Sequence, residues 1–154
     1  RVRDACIRRS VDGMFARAKA RTTDSRDASG PVRVLIYSSN PATREQVTLA
    51  LGTHPAGDGP DLELIEVATA PVVIQHFDDH GVDLAILDGE AAPFGGLGLA
   101  KQLKDEISPC PPIIVLTARR DDRWLASWSL ADAVVAAPLD PMELTRTVLA
   151  LLPR

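Results

Sequence analysis

The sequence predicts an α/β domain built as (βα)5, a doubly wound parallel sheet with helices on both faces. Short β-branched runs alternate with helix-length segments over about 120 residues from Pro31 onward. These runs are apolar throughout rather than alternately apolar and polar, so both faces of each strand need cover. The intervening segments are long enough for the helical crossovers that parallel neighbours require.

The first strand is VRVLIY (32 to 37), a continuous apolar run that stops on Ser38, Ser39 and Asn40. Asn40 is an N-cap and Pro41 a first helical residue, so a helix is expected through Leu51, with Gly52 ending it. After the turn-rich GTHPAGDGPD comes the second strand, LELIEVA (62 to 68), and Thr69 and Pro71 open a second helix through about His80. VDLAILD (82 to 88) is the third strand. A loop, GEAAPFGG, leads into LGLAKQLKDEI, where Leu97, Ala100, Leu103, Lys104 and Ile107 keep a helical period. IIVLT (113 to 117) follows Pro111-Pro112 as the fourth strand, and Asp121 and Asp122 acidify the start of a fourth helix. AVVAA (133 to 137) is the fifth strand. Asp140, Pro141 and Glu143 then supply N-cap, N1 and N3 of a last helix whose inner face is Leu144, Val148, Leu151 and Leu152.

At 154 residues the chain has the size of one domain with a modest extension. No apolar stretch approaches the roughly 18 residues of a membrane span. The charge splits sharply. Residues 1 to 30 hold 8 of the 17 Lys and Arg but only 4 of the 21 Asp and Glu, a net +4, leaving −8 on residues 31 to 154. We therefore expect a basic, flexible N-terminal extension (1 to 30) and a folded domain (31 to 154). Within the extension Ile7, Val11, Met14, Phe15 and Ala18 can share one helical face, ringed by Arg8, Arg9, Arg17 and Arg21. Such a segment can lie on anionic lipid or an acidic partner, or serve as an Arg-rich targeting peptide. The extension's four aspartates weaken both readings, and a poorly ordered tail outside the fold is the plainer one. Cys6 and Cys110 have neither zinc spacing nor the plurality of a disulfide framework and read as reduced thiols.

In a doubly wound sheet the site lies at the carboxyl ends of the strands, where the winding reverses. There the sequence places Ser38, Ser39 and Asn40, then Asp88, Thr117 and Ala137-Pro138. VDLAILD followed by Gly96-Leu97, IIVLTA, and APLDPMEL together resemble the receiver domain of two-component response regulators, over nearly all of residues 32 to 152. That resemblance implies a flavodoxin-like receiver fold with strand order 2-1-3-4-5. It places the phospho-accepting aspartate at Asp88 and the family's Thr or Ser at Thr117.

Four positions depart from the pattern. The acidic pair that closes strand one in receivers falls on Ser38 and Ser39, the lysine that closes strand five falls on Ala137, and the aromatic switch position falls on Val134. Mg²⁺ wants a near-octahedral oxygen shell, usually with one or two carboxylates, and Asp88 alone is a poor cage. Phosphoryl transfer depends on positioning and charge neutralisation. By analogy with a lost transition-state donor, each missing group costs roughly 2.7–4 kcal/mol. The chain thus reads as a degenerate, atypical receiver with no metal, no cofactor and no catalytic residues. Glu90 stands where receivers offer a backbone carbonyl to the metal; its carboxylate partly restores an anionic site or is simply a solvated loop acid. Asp88 likewise has a structural reading, hydrogen-bonding loop amides at a strand end.

Other motifs are weaker. GGLG (95 to 98) fails the fuller G-x-G-x-x-G pattern at Lys101 and follows the wrong strand for a nucleotide loop. His76 and His80 have i, i+4 spacing but no third ligand in motif, so a solvated helix face is expected. No G-x-S-x-G elbow is present for a hydrolase. Trp124 and Trp128, one helical turn apart, are either interface anchors or packed against the neighbouring strand, with one in and one out as a compromise.

The chain stops soon after the fifth helix, so no output domain is expected, and an acidic body repels nucleic acid. The expected function is that of a stand-alone receiver acting as a phosphorylation-independent protein-binding module. VRVLIYS, LAILDGEA, AKQLKDE and LTARRDDRWLASWS are similar to orphan receiver-like proteins associated with respiratory NADH:quinone oxidoreductase (complex I). This likeness implies an accessory or regulatory subunit docked on the cytoplasmic arm of that complex, cytoplasmic and peripheral to the inner side of the membrane. The alternatives are an unconventional phospho-accepting response regulator signalling through Asp88 and, behind it, a small α/β enzyme.

Overall fold

The computed structural model describes residues 30–55, 57 and 59–152. The amphipathic segment expected between Ile7 and Arg21, and Cys6, lie outside the described residues. Five strands, β1 (Val32–Tyr37), β2 (Leu62–Val67), β3 (Leu84–Asp88), β4 (Ile113–Thr117) and β5 (Ala133–Ala136), form one sheet in the order β2-β1-β3-β4-β5. Every neighbouring pair is parallel. The chain steps from β1 outward to β2 and then back across β1 to β3. The winding therefore reverses beside the carboxyl ends of β1 and β3, where Tyr37 pairs with Leu87.

The helices are α1 (Pro41–Leu51), α2 (Ala70–Asp78), α3 (Gly96–Glu106), α4 (Leu125–Ser129) and α5 (Pro141–Leu151). Side chains alternate between the two faces of a strand, and here both faces are apolar. Val34, Ile36, Leu84, Ile86, Ile114 and Val135 pack against Val47 and Leu51 of α1 and Leu144 and Val148 of α5. Leu35, Tyr37, Ala85, Leu87, Ile113 and Val115 pack against Val73 and Phe77 of α2 and Leu99 and Leu103 of α3. This two-sided burial is why β1, β3, β4 and β5 read as nearly unbroken apolar runs, whereas the edge strand β2 exposes Glu63 and Glu66.

Local chemistry sets the helix starts. Asn40 Oδ1 accepts from the Ala42 amide at 3.0 Å, and Asp140 Oδ1 from the Met142 amide at 2.9 Å, each before a proline at the first helical position. The reciprocal half of the expected capping box on α5 is replaced: Glu143 takes Arg123 Nη2 at 3.4 Å instead.

Several boundaries shift from the sequence reading. α2 ends at Asp78, two residues short of His80, which has a left-handed φ of 51°. His76 and His80 therefore do not share a helix face. β3 starts at Leu84, because Asp83 Oδ2 accepts the Arg33 amide and turns residues 82–83 into a side-chain-held approach. The single fourth helix is in fact a 3₁₀ segment, Arg120–Trp124, followed by the five-residue α4. The run RRDDRW offers no apolar face to hold an α-helix on the sheet, and Leu130, at φ 60°, ends α4 without a glycine.

Candidate functional site

β1 delivers Ser38 and Ser39 to the carboxyl end of the sheet, β3 delivers Asp88, and β4 delivers Thr117. Ser38 is fully buried, and its hydroxyl donates to Asp88 Oδ2 at 2.6 Å. The Ser38 hydroxyl oxygen also accepts from the Asn40 amide at 3.0 Å. Asp88 Oδ1 accepts from the Glu90 amide at 2.9 Å. The carboxylate is 8% exposed and has one hydrogen bond on each oxygen, so lone pairs remain on both. No ion pair among the described residues includes Asp88 or Glu90.

Backbone crowding fixes the loop after β3. A Cβ on Gly96 would lie 2.7 Å from the Asp88 carbonyl oxygen, and one on Gly89 would lie 2.7 Å from the Leu116 carbonyl oxygen. At Gly95 the corresponding distance, to the Gly89 carbonyl oxygen, is 2.9 Å. Only glycine permits these approaches. Gly95 and Gly96 of the GGLG stretch are thus explained by packing behind Asp88, whereas a Cβ on Gly98 would meet nothing within 4 Å.

The serines differ in role. Ser39 is exposed, and its hydroxyl oxygen accepts from the Ala92 amide at 3.1 Å, tying β1 to the β3–α3 loop. Glu90 presents its amide to Asp88 while its residue stays exposed. Thr117 is buried and donates to the Arg119 carbonyl at 3.1 Å. Val134 is half-buried against the α2–α3 side of the core, and Ala137 is exposed beyond β5. Ser38, Asp88, Glu90 and Thr117 thus cluster at the strand ends with Ala137 nearby, whereas Val134 belongs to the core.

Two residues that sequence reasoning passed over also serve the site. Arg44 Nη1 donates to the Ser38 carbonyl at 2.6 Å and pins the turn between β1 and α1. Its signal was a cation in the opening turns of a helix, where the dipole disfavours it. The Tyr37 hydroxyl donates to the Phe94 carbonyl at 2.7 Å and fastens the β3–α3 loop. Burial, and then the nearby Asp88 charge, push this phenol above its ordinary range.

A cleft of about 730 Å³ opens from Asp88 between α1 and the β5–α5 connection. Asp88, Glu90 and Thr117 line one part of it, and Leu116, Val135 and Leu139 supply apolar wall. Ala137 also lines it, so a long side chain at that position would enter the space. Among the described residues no group of three or more His, Cys, Asp or Glu side chains converges on a metal-sized site. No helix of the described residues is long and apolar enough to cross a membrane.

Away from the strand ends, Trp124 and Trp128 are 69% and 54% exposed, so both turn outward instead of dividing between core and surface. Leu130 follows them at 49%. This stretch concentrates exposed large apolar side chains on residues 124–130.

No family model matches the chain. Uncharacterized response regulatory proteins of Mycobacterium tuberculosis strains CDC 1551 / Oshkosh and ATCC 25618 / H37Rv are each 60% identical over 126 residues, covering 82% of this chain and 95% of theirs. Among solved structures, the response regulator protein TrrA from Thermotoga maritima in complex with Mg(2+)-BeF is 29% identical. It superposes with a TM-score of 0.65 over 79% of this chain and 99% of that one. Vibrio cholerae chemotaxis protein CheY4 is 18% identical with a TM-score of 0.62, covering 80% of this chain and all of that one, a likeness of fold alone. Sheet order, the aspartate at the end of β3 and these relatives agree: the chain belongs to the response-regulator receiver family.

Proposed function

We propose that this receiver works as a phosphorylation-independent protein-binding module whose contact surface is the Trp124–Leu130 stretch. The observation that carries the reading is the Ser38–Asp88 hydrogen bond. Where a metal-binding acid pair is expected, a buried hydroxyl holds the carboxylate, and Ala137 brings no cation to it. Neither Ser38 nor Ser39 carries charge to hold Mg²⁺, and phosphoryl transfer without metal or lysine loses its principal electrostatic terms. Val134, half-buried and without a ring, cannot swing in response to a modified Asp88. Exposed tryptophans, by contrast, are the side chains most enriched at interface hot spots.

The partner implied by resemblance is the cytoplasmic arm of respiratory NADH:quinone oxidoreductase, with this chain as an accessory subunit held at the inner side of the membrane through the complex. That identification rests on sequence likeness only. The second reading, a phospho-accepting regulator, is favoured by the retained Asp88 and by the Thermotoga relative's complex with Mg(2+)-BeF.

One experiment separates the two. The chain and its Asp88→Asn variant are incubated with acetyl phosphate and Mg²⁺ beside a conventional receiver, and intact mass is measured. We expect no adduct on this chain, and unchanged capture of its partner from a membrane extract, reduced by Trp124→Ala or Trp128→Ala. A stable phosphoryl adduct that disappears in Asp88→Asn overturns the reading in favour of the second. Capture indifferent to both tryptophans removes the proposed surface.

A further inference from the structure

The geometry points to a second binding site: the cleft beside Asp88 takes a small organic amine, a primary ammonium on an apolar stem. This goes beyond the protein-binding reading, since the cleft lies at the strand ends and is lined by none of Trp124, Trp128 and Leu130.

The cleft's volume, about 730 Å³, falls within the range of small-molecule sites. Its chemistry is divided. Asp88 and Glu90 bring two carboxylates without an ion-paired cation among the described residues, and Thr117 adds a hydroxyl oxygen. Asp88 is nine-tenths buried and uses one lone pair per oxygen on Ser38 and Glu90, so an ammonium can add hydrogen bonds without displacing either. Leu116, Val135 and Leu139 offer apolar surface to a stem. A carboxylate at a partly desolvated edge attracts an opposite charge more strongly than one in open water. An anion would meet two like charges there, and a neutral hydrocarbon would leave them unanswered. Ala137 keeps the entrance open, because a lysine there would carry its own ammonium into the same space.

The test is a titration of the full chain, labelled for two-dimensional amide NMR, with n-hexylammonium chloride and, separately, n-hexanol at matched ionic strength. Hexylammonium is expected to shift the Glu90, Ala118 and Ala137 amides saturably, with a Kd of about 1 mM, and hexanol to bind at least about tenfold more weakly. Ala137→Lys should abolish the shifts, and Glu90→Gln, an exposed substitution with little bearing on folding, should weaken binding about threefold to tenfold. Three results each overturn the proposal: no saturable shift at these amides, equal binding of alcohol and ammonium, or undiminished binding in both variants.

Discussion

Replacing Ser38 with alanine tests the physical basis of the site most directly. The substitution removes one oxygen from a fully buried position. Asp88 Oδ2 loses its 2.6 Å donor and keeps a buried carboxylate short of one hydrogen bond, a loss of about 1.5–3 kcal/mol for a charged acceptor. The Asn40 amide also loses its 3.0 Å acceptor, but Asn40 is exposed and water can take over, so this adds only a few tenths. The expected destabilisation is therefore ~2.5 kcal/mol, or a fall in Tm of about 10 °C for a domain of this size. Ser39→Ala is the internal control: its hydroxyl also accepts a loop amide, yet it is exposed, and a loss under about 0.5 kcal/mol is expected. Urea unfolding of both variants, with Asp88→Asn and the Ser38→Ala/Asp88→Asn double variant completing a cycle, isolates the coupling. If Ser38→Ala and Ser39→Ala cost the same, or if the cycle shows no coupling, the buried hydroxyl is not what holds Asp88 and the reasoning fails.

Three further expectations concern Tyr37 beside the site and Cys110 ahead of β4. Tyr37→Phe removes the hydroxyl bonded to the Phe94 carbonyl and should cost about 1 kcal/mol, with faster amide hydrogen exchange confined to residues 89–95; unchanged exchange there would mean that the Ser39 bond and the close backbone packing hold the loop without it. Burial raises the Cys110 thiol above its ordinary value, with Lys104 lowering it and Asp132 raising it further. Alkylation at neutral pH should accordingly run slower than for an unstructured cysteine peptide. The stability gained from keeping this thiol protonated is fully present below the ordinary value of 9.0 and lost as pH rises through the raised folded value, which unfolding curves with Cys110→Ala as reference would detect.

The sheet was legible because parallel strands buried on both faces leave an unmistakable trace: VRVLIY and LAILD carry core side chains to both layers. The helix starts were legible because Asn40-Pro41 and Asp140-Pro141 encode their own caps. What escaped reading depends on contacts far apart in the chain. Ser38 and Asp88 are 50 residues apart, and nothing in either neighbourhood says that the hydroxyl points at the carboxylate. The Tyr37–Phe94 bond spans 57 residues and uses a backbone carbonyl, which no residue type announces. The split of the fourth helix into 3₁₀ and α pieces turns on RRDDRW, whose aspartates give the acidic signal of a helix start but which has no apolar face to hold one. The cleft had no local signature, since it arises from a small residue, Ala137, facing a helix almost a hundred positions earlier in the chain.

The glycines behind Asp88 separate the shape of this site from its chemistry. Gly89, Gly95 and Gly96 each have a backbone atom under 3 Å from where a side chain would begin, so these turns of the loop require glycine whatever Ser38 or Ala137 carries, while Ser39 adds its bond to the Ala92 amide. The glycine requirement is thus separate from side-chain identity at 38 and 137, although Ser38 itself is buried against Asp88. For a protein engineer this means that installing acids at 38 and 39 and a lysine at 137 leaves the loop's glycines untouched, while the acid at 38 has to fit a fully buried position beside the Asp88 carboxylate. For a chain under drift it means that side chains around Asp88 can change while the glycine-bound turns behind it keep their path.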